Sequence, residues 1–497
     1  MTLLLRMSNN GHAMNKNLTP AELEANTEPL YAAHKKVYPQ AVSGRFRRIK
    51  WGLMAVCLGI YYLLPFVRWD RGPDAPSQAV LVDFPNSRFY FFFIELWPQE
   101  VYYFTGLLIL AALALFLMNA IGGRIWCGYL CPQTVWTDLF YAVERLVEGD
   151  RRERIKKDDS KLTAGRVAEL ATKHTIWIFI AWWTGGAWVL YFADAPTLVI
   201  DLATFRAPVV AYVWIGILTF TTYALAGFMR EQVCVYMCPW PRIQAALTDE
   251  WALNVTYRYD RGEPRFSLKK ATELRAQGER AGDCVDCGQC VAVCPTGIDI
   301  RNGAQLDCIQ CGLCIDACDA VMTKVGRPVR LIAYDNEINI ERRVAGKPPI
   351  FKAVRPRTVL YSTVIAVVGS IMLYVLATRA FLDINVLHDR NPIAVALSDG
   401  SVRNAYTVRL LNKRAYSRTL ALDVTGLSGA QVQIVGLDSL GMTRPVIVVG
   451  RDQTEEIRVL VTVPSRESLD KSTDVAFVVT DLGLGEMAAA RDHFILP

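Results

Sequence analysis

Five stretches of this chain carry no charged residue over a length that crosses a hydrocarbon core of ~30 Å. They run Trp51 to Val67, Val101 to Ile121, Thr175 to Phe192, Ala207 to Met229 and Thr358 to Thr378. At 497 residues with 21% charged side chains, the chain is too polar to lie wholly in a membrane. The pattern therefore predicts a polytopic α-helical membrane protein of five spans with substantial soluble parts. Trp51, Tyr61, Trp177 and Tyr191 flank the two short stretches as interfacial belts do. The first stretch starts near residue 50 with no small-residue cleavage site after it, so it reads as a retained helix. The polar first 25 or so residues, with extra methionines at Met7 and Met14, read as disordered.

Lys and Arg in the connections set the direction. Residues 1–50 hold eight, the loop 68–99 holds three, the loop 122–174 holds ten and the loop 193–206 holds only Arg206. This alternation predicts an inside N-terminus. Five spans then leave residues 257–350 in the cytoplasm and put the chain after Thr378 on the far side. The net charge of +6 is modest, and no basic stripe with interleaved aromatics suggests nucleic acid.

The predicted organisation is a cytoplasmic segment over 1–44, a membrane domain over 45–256, a soluble insert over 257–350, the fifth span within 351–380 and a second soluble domain over 381–497. In the last of these, alternation at Ile457, Val459, Val461 and Val463 joins runs such as Leu420 to Val424 and Val475 to Val479. Roughly seven short strands punctuated by Gly, Pro, Asn and Asp predict an immunoglobulin-like β-sandwich. That domain offers no ligand constellation.

Eight of the thirteen cysteines fall between Cys284 and Cys318, and the last 179 residues contain none. Such clustering favours metal chemistry over a disulfide framework. Cys284, Cys287, Cys290 and Cys294-Pro295 are followed by Cys308, Cys311, Cys314 and Cys318, each set in the bacterial ferredoxin spacing. In that pattern three thiolates grip one cubane and the fourth reaches its neighbour. The expectation is one [4Fe-4S] cluster on Cys284, Cys287, Cys290 and Cys318, and another on Cys308, Cys311, Cys314 and Cys294. Structural zinc uses two C-x2-C pairs set a dozen or more residues apart, which this is not. With no nucleotide-binding loop nearby, the insert reads as a wire for electrons.

A second motif is repeated. Arg124 leads into Cys127-Gly-Tyr129-Leu-Cys131-Pro132 after the second span, and Arg230 into Cys234-Val-Tyr236-Met-Cys238-Pro239 after the fourth. Both spans run outside to inside, so both motifs arrive at one membrane surface. An i, i+4 spacing on a helical turn brings two sulfurs close enough for one metal ion or a transient disulfide. Helices over Val135 to Val147 and Ile243 to Leu253, with Arg124 and Arg230 close by, are expected to favour thiolate over thiol. Thiolates select Cu(I), and a site that prefers the reduced ion raises its potential by ~59 mV per tenfold preference. Clusters near about −400 mV would then reduce Cu(II) downhill. Against this stands simple packing of cysteine in apolar helices, which is the reading for Cys57. His388 and His493 are too few and too far apart for a copper site, and His174 reads as interfacial.

Lys36-Val-Tyr-Pro-Gln40, Arg124-Ile-Trp-Cys-Gly-Tyr-Leu-Cys-Pro132, Arg230-Glu-Gln-Val-Cys-Val-Tyr-Met-Cys-Pro239, Tyr259-Asp-Arg-Gly-Glu-Pro264 and Cys294-Pro-Thr-Gly-Ile-Asp299 carry a family resemblance. The chain resembles the FixG/CcoG (RdxA) membrane polyferredoxins, accessory proteins of cbb3-type cytochrome oxidase assembly, from about residue 35 to its end. It departs from the family pattern at Pro241 and at Val329-Arg330, the latter where a glycine is usual.

The resemblance implies a cupric reductase of the bacterial inner membrane with Cys127, Cys131, Cys234 and Cys238 at a copper-handling site. The implied partners are cbb3 assembly factors, a copper-transporting ATPase and copper chaperones. Two other readings stay open: a quinol-linked electron conduit, and a copper-holding assembly scaffold without redox cycling.

Overall fold

A computed structural model describes residues 36–72, 75–414, 416–437, 444–451, 453–464 and 470–497. The expected disordered N-terminus lies outside the described residues. Among those described, four helices are long and apolar enough to cross a membrane: Arg45–Phe66, Tyr102–Gly122, Val209–Met229 and Pro356–Ala377. We call their regular parts α1 (Arg45–Leu63), α2 (Tyr102–Gly122), α6 (Val209–Thr222) and α8 (Pro356–Ala377). The stretch expected as the third span lies on α5 (Ala164–Val189), a helix long enough at 26 residues but not apolar enough. Its start is charged, and Trp177, Trp182, Trp183 and Trp188 replace aliphatic side chains along it.

Helix α5 nevertheless joins the same two ends as the other four. Near its start, Lys173 Nζ lies 3.0 Å from Glu148, on the cysteine-bearing side. Beyond its end, Tyr191 O accepts from Val82 N and Ala195 N donates to Gln78, both in the loop after α1. Gly185 lets α5 approach α6 closely, since a Cβ there would lie 2.9 Å from Ile215 O. Gly106 does the same between α2 and α8, opposite Met372.

The loop after α1, read from sequence only as poorly charged, forms a three-stranded antiparallel sheet of β1 (Val80–Asp83), β2 (Arg88–Phe91) and β3 (Ile94–Leu96). It meets the C-terminal domain through Arg379 Nη1 on Glu95 O at 2.7 Å and Lys413 on Glu100 at 3.1 Å.

The cysteine-rich insert hangs between β4 (Asn254–Tyr257) and β5 (Ile332–Asp335), which pair antiparallel and close its base. The C-terminal domain is a two-sheet sandwich, as expected. One sheet orders β10 (Gln431–Ile434), β12 (Gln453–Val463), β8 (Val402–Asn412) and β6 (Leu382–His388), with β7 (Val395–Ala396) on β8. The other orders β11 (Val446–Val449), β9 (Arg418–Thr425), β13 (Ser472–Asp481) and β14 (Met487–Ile495). Alternate residues point inward, so Tyr406, Val408 and Leu410 from one sheet meet Leu420, Leu422 and Phe477 from the other, all fully buried.

Candidate metal centres

The two cysteine runs fold as a repeat at backbone level. Asp286 and Gln310, each immediately before the second cysteine of its run, are left-handed at φ 50° and 55°. Gly288 and Gly312, each just after that cysteine, are left-handed at 66° and 72°. Two such residues turn the chain tightly around a point while the flanking cysteines face inward. Each glycine then starts a helix, Gln289–Ala292 in the first run and Leu313–Lys324 in the second.

Two cavities result, each with about 350 Å³ of empty volume. Cys284, Cys287, Cys290 and Cys318 line one; Cys294, Cys308, Cys311 and Cys314 line the other, with Cys290 on the wall between them. In each cavity three cysteines come from one run and the fourth from the other. The remaining walls are mostly apolar, including Ile298, Ile300 and Leu313 on one side and Val285, Met322 and Leu331 on the other, with Thr296 and Gln310 in the first and Gln289 and Arg301 in the second. Backbone N–H groups of Gln310, Leu313 and Ile332 point at the sulfurs of Cys308, Cys311 and Cys318. Burial pushes the Cys308 and Cys318 thiols up to about 12, so a thiolate there needs a cationic partner. Equal size, four sulfurs each, largely apolar walls and N–H donors to sulfur fit a [4Fe-4S] cubane in each cavity.

The two membrane-face motifs share a second repeat. Cys131 N donates to Trp126 O at 2.9 Å and Cys238 N to Val233 O at 2.8 Å, both i to i−5 closures. The sequence suggested plain α-helical turns. The first motif does begin in a short helix, α3 (Ile125–Tyr129), whereas the second lies on a π-helical turn, Val233–Met237. Cys131 and Cys238 then turn extended, at ψ 128° and 121°. Pro132 opens α4 (Pro132–Glu148), and Pro239 caps α7 (Trp240–Leu247).

The motifs converge. Cys127 feels the charges of Cys131, Cys234 and Cys238, and Cys234 those of Cys131 and Cys238. Cys127 Sγ also donates to Gln244 Oε1 of α7 at 3.4 Å, tying the first motif to the helix behind the second. Among the described residues, no three His, Cys, Asp or Glu side chains close on one metal-ion position. That is true of the ferredoxin cysteines as well as of these four.

The expected thiolate bias is corrected. Burial pushes Cys127 and Cys234 up to about 12, outweighing the pull of Arg124 on Cys127. The two arginines are committed elsewhere. Arg124 Nη1 donates to Leu306 O and, at 3.3 Å, to Cys308 O, while its Nη2 reaches Pro241 O at 3.0 Å. Arg230 pairs with Glu144, which also holds Arg154, all three buried.

The first motif sits directly against the second cubane cavity. A Cβ at Gly128 would lie 2.8 Å from Ile309 O and 3.0 Å from Cys311 Cα, so only glycine allows this approach. Tyr129 Oη donates to Cys311 O at 2.9 Å. Cys127 itself packs with Ile309, Cys311 and Leu313. The link through residues 306–311 was not legible in the sequence; the glycine within the first motif was its one trace.

The remaining cysteine and histidines stand apart. Cys57 lies within α1. His174 Nδ1 bonds Tyr223 Oη at 2.9 Å among Trp177 and Phe228. His388 and His493 sit in the sandwich, the former stacked on Tyr406 and the latter beside Asp474.

Three curated proteins are similar in sequence to this chain across nearly their whole length. The nitrogen fixation protein FixG of Rhizobium meliloti is 46% identical over 94% of this chain and 94% of its own. Protein RdxB of Cereibacter sphaeroides is 47% identical over 93% and 96%, and protein RdxA of the same organism 48% over 94% and 99%. This chain belongs to the FixG/RdxA family. Three domain families agree: a 4Fe-4S dicluster domain over residues 229–337, the Ig-like fold at the C-terminal of FixG over 372–497, and a 4Fe-4S binding domain over 104–149. A crystal structure of a FixG-related protein from Vibrio parahaemolyticus aligns at 21% identity over 23% of this chain and 96% of its own, with a TM-score of 0.20. Membership makes the chain an iron–sulfur protein of oxidoreductase type with apolar membrane helices.

Proposed function

We propose that this protein reduces Cu(II) to Cu(I) at the membrane surface for copper-centre assembly of a cbb3-type cytochrome oxidase. Cys284, Cys287, Cys290 and Cys318 hold one [4Fe-4S] cluster, and Cys294, Cys308, Cys311 and Cys314 the other. When bound, these clusters supply low-potential one-electron equivalents. Cys127, Cys131, Cys234 and Cys238 bind copper as substrate, which takes up one electron per ion. Cu(I), a d10 ion, is satisfied by two soft thiolates, so the four sulfurs need not close on a single point. One observation carries this reading: Gly128 presses the Cys127 turn onto the Ile309–Cys311 backbone, which keeps the thiol within short reach of the electron source.

In this reading the membrane is the bacterial inner membrane and the chain crosses it five times. The N-terminus and insert are cytoplasmic and the sandwich periplasmic. Two things support it: α5 joins the same two ends as the other helices, and Lys and Arg alternate between the loops. The partners are the oxidase assembly factors, a copper-transporting ATPase and copper chaperones, with a cytosolic donor on the insert.

The test mixes anaerobically reduced holoprotein with Cu(II). Cluster bleaching matched by Cu(I) appearance, and lost in Cys131→Ala and Cys238→Ala, is the expected result. Equally rapid bleaching in the double variant removes these thiols from the reaction.

A second reading has its own observation. The family described as a 4Fe-4S binding domain covers residues 104–149, where Cys127 and Cys131 are the only cysteines. On that reading the four membrane-face thiols hold a third iron–sulfur centre. Iron analysis decides: Cys127→Ala with Cys234→Ala lowers iron per chain if a third centre exists and leaves it unchanged if copper is the substrate.

A further inference from the structure

A further cavity lies beside the cluster cavities and shares Pro295 and Leu313 with the one lined by Cys311. Its empty volume is about 910 Å³, against about 350 Å³ for each cluster cavity. It opens where the base of α1, the surface helix α4 and the cluster-binding insert meet. Arg47, Trp51, Tyr141, Arg145, Leu146 and Leu313 are among its walls.

Its charges do not balance. Arg47, 8% exposed, gives Nη1 to Asp138 at 2.8 Å and lies over the Trp51 ring, but its buried Nη2 has no partner. Lys50 takes a share of the same carboxylate at 3.9 Å. The Arg145 side chain makes no hydrogen bond or ion pair among the described residues; besides burial, it feels Arg47 and Arg154 against Asp138 and Asp150. Asp150 already accepts from Ala41 N at 2.9 Å. Arg47 and Lys50 thus share Asp138, itself a wall of the cavity, and the Arg145 side chain beside them is left without an acceptor.

We propose that this cavity binds a phosphate ester at the membrane surface, held by Arg145 with Arg47 beside it. Guanidinium forks match phosphate oxygens, and the volume exceeds that of a bare oxyanion. Trp51, Leu146 and Leu313 offer an apolar wall to whatever the phosphate carries. Leu146, 82% exposed, stands at the opening. The ester has two possible sources, a phospholipid headgroup or a soluble phosphate ester.

The test uses the full-length holoprotein in detergent and Arg145→Gln. Arg47→Gln also strips Asp138 of its partner and risks the base of α1, so Arg145 carries the test. Native mass spectrometry compares phosphatidylglycerol with phosphatidylcholine, and a thermal-shift titration uses glycerol phosphate. A tenfold or greater preference for phosphatidylglycerol, lost in Arg145→Gln with cluster absorbance unchanged, supports the proposal with a lipid source. Saturable stabilisation by glycerol phosphate in the parent only, without lipid preference, supports it with a soluble source. Equal lipid binding and no glycerol phosphate effect, or identical behaviour of Arg145→Gln, overturns it.

Discussion

Tyr129 Oη donates a hydrogen bond to the carbonyl of Cys311 at 2.9 Å, from inside the first membrane-face motif to the backbone of a cluster cysteine. The tyrosine is buried at 6% exposure, so water does not replace this bond. Tyr129→Phe removes it at a cost of about 0.5–1.5 kcal/mol. The expected outcome is full cluster content, with slower bleaching on Cu(II) addition by stopped-flow absorbance. An unchanged rate would show that this contact is not part of the coupling.

Gly128→Ala is the harsher probe of the same surface. The new methyl meets backbone at 2.8 Å and 3.0 Å, neither of which is the end of a flexible side chain. Forcing it in costs roughly 1–3 kcal/mol, and the turn must back away from Ile309. Iron content separates the outcomes: near-normal iron with several-fold slower Cu(II)-dependent bleaching is expected, whereas normal kinetics contradict the packing argument.

Glu144 is the common partner of Arg154 and Arg230, and all three are buried. Glu144→Gln leaves two guanidiniums without a counter-charge, a loss of about 3–5 kcal/mol for a buried pair broken on one side. Detergent-solubilised Glu144→Gln is expected to unfold at markedly lower temperature in a tryptophan fluorescence melt. A melting point equal to that of the parent would assign the triad no structural weight.

The segment Lys36–Ala41 is strapped down by Asp158, Arg151, Asp150 and Ala292 O. Burial alone would raise the Asp158 carboxyl, but Lys36, Tyr38 and Arg166 together hold it down at about 2. Because its folded value lies below the unfolded ~3.9, its contribution is full above about pH 4 and fades as pH falls towards 2. Asp158→Asn is therefore expected to expose Lys36 to trypsin at neutral pH with the clusters intact. An unchanged cleavage pattern would mean that the strap does not depend on this carboxylate.

What the sequence disclosed was chemistry held within short spacings. The dicluster character of the insert was readable because three cysteines of each run lie within a few residues. Long-range partners were not readable. Arg124 and Arg230 stood beside cysteines and suggested thiolate control, but their guanidiniums are spent on Leu306 O, Cys308 O, Pro241 O and Glu144. Helix α5 was legible as a long apolar element, but its tryptophans and charged start set it apart from the aliphatic helices beside it. Arg330, standing where the family pattern has glycine, adopts φ 65°, and its N–H meets Asp319 Oδ1 at 2.7 Å. Asp319 follows Cys318 where the first run has Pro295 after Cys294, so two local oddities are one compensated contact.

The insert is moored at several points. Arg124 holds residues 306–308, the Phe46 and Arg47 amides bind Asp316, Gln40 N binds Ala292 O, and β4 pairs with β5. A module fastened on so many sides is a pier and not a pendulum: in the proposed reaction, charge leaves it for the Cys127 turn over a fixed gap. Thickening the solvent with glycerol should therefore leave the internal hop untouched while slowing the arrival of whatever feeds it.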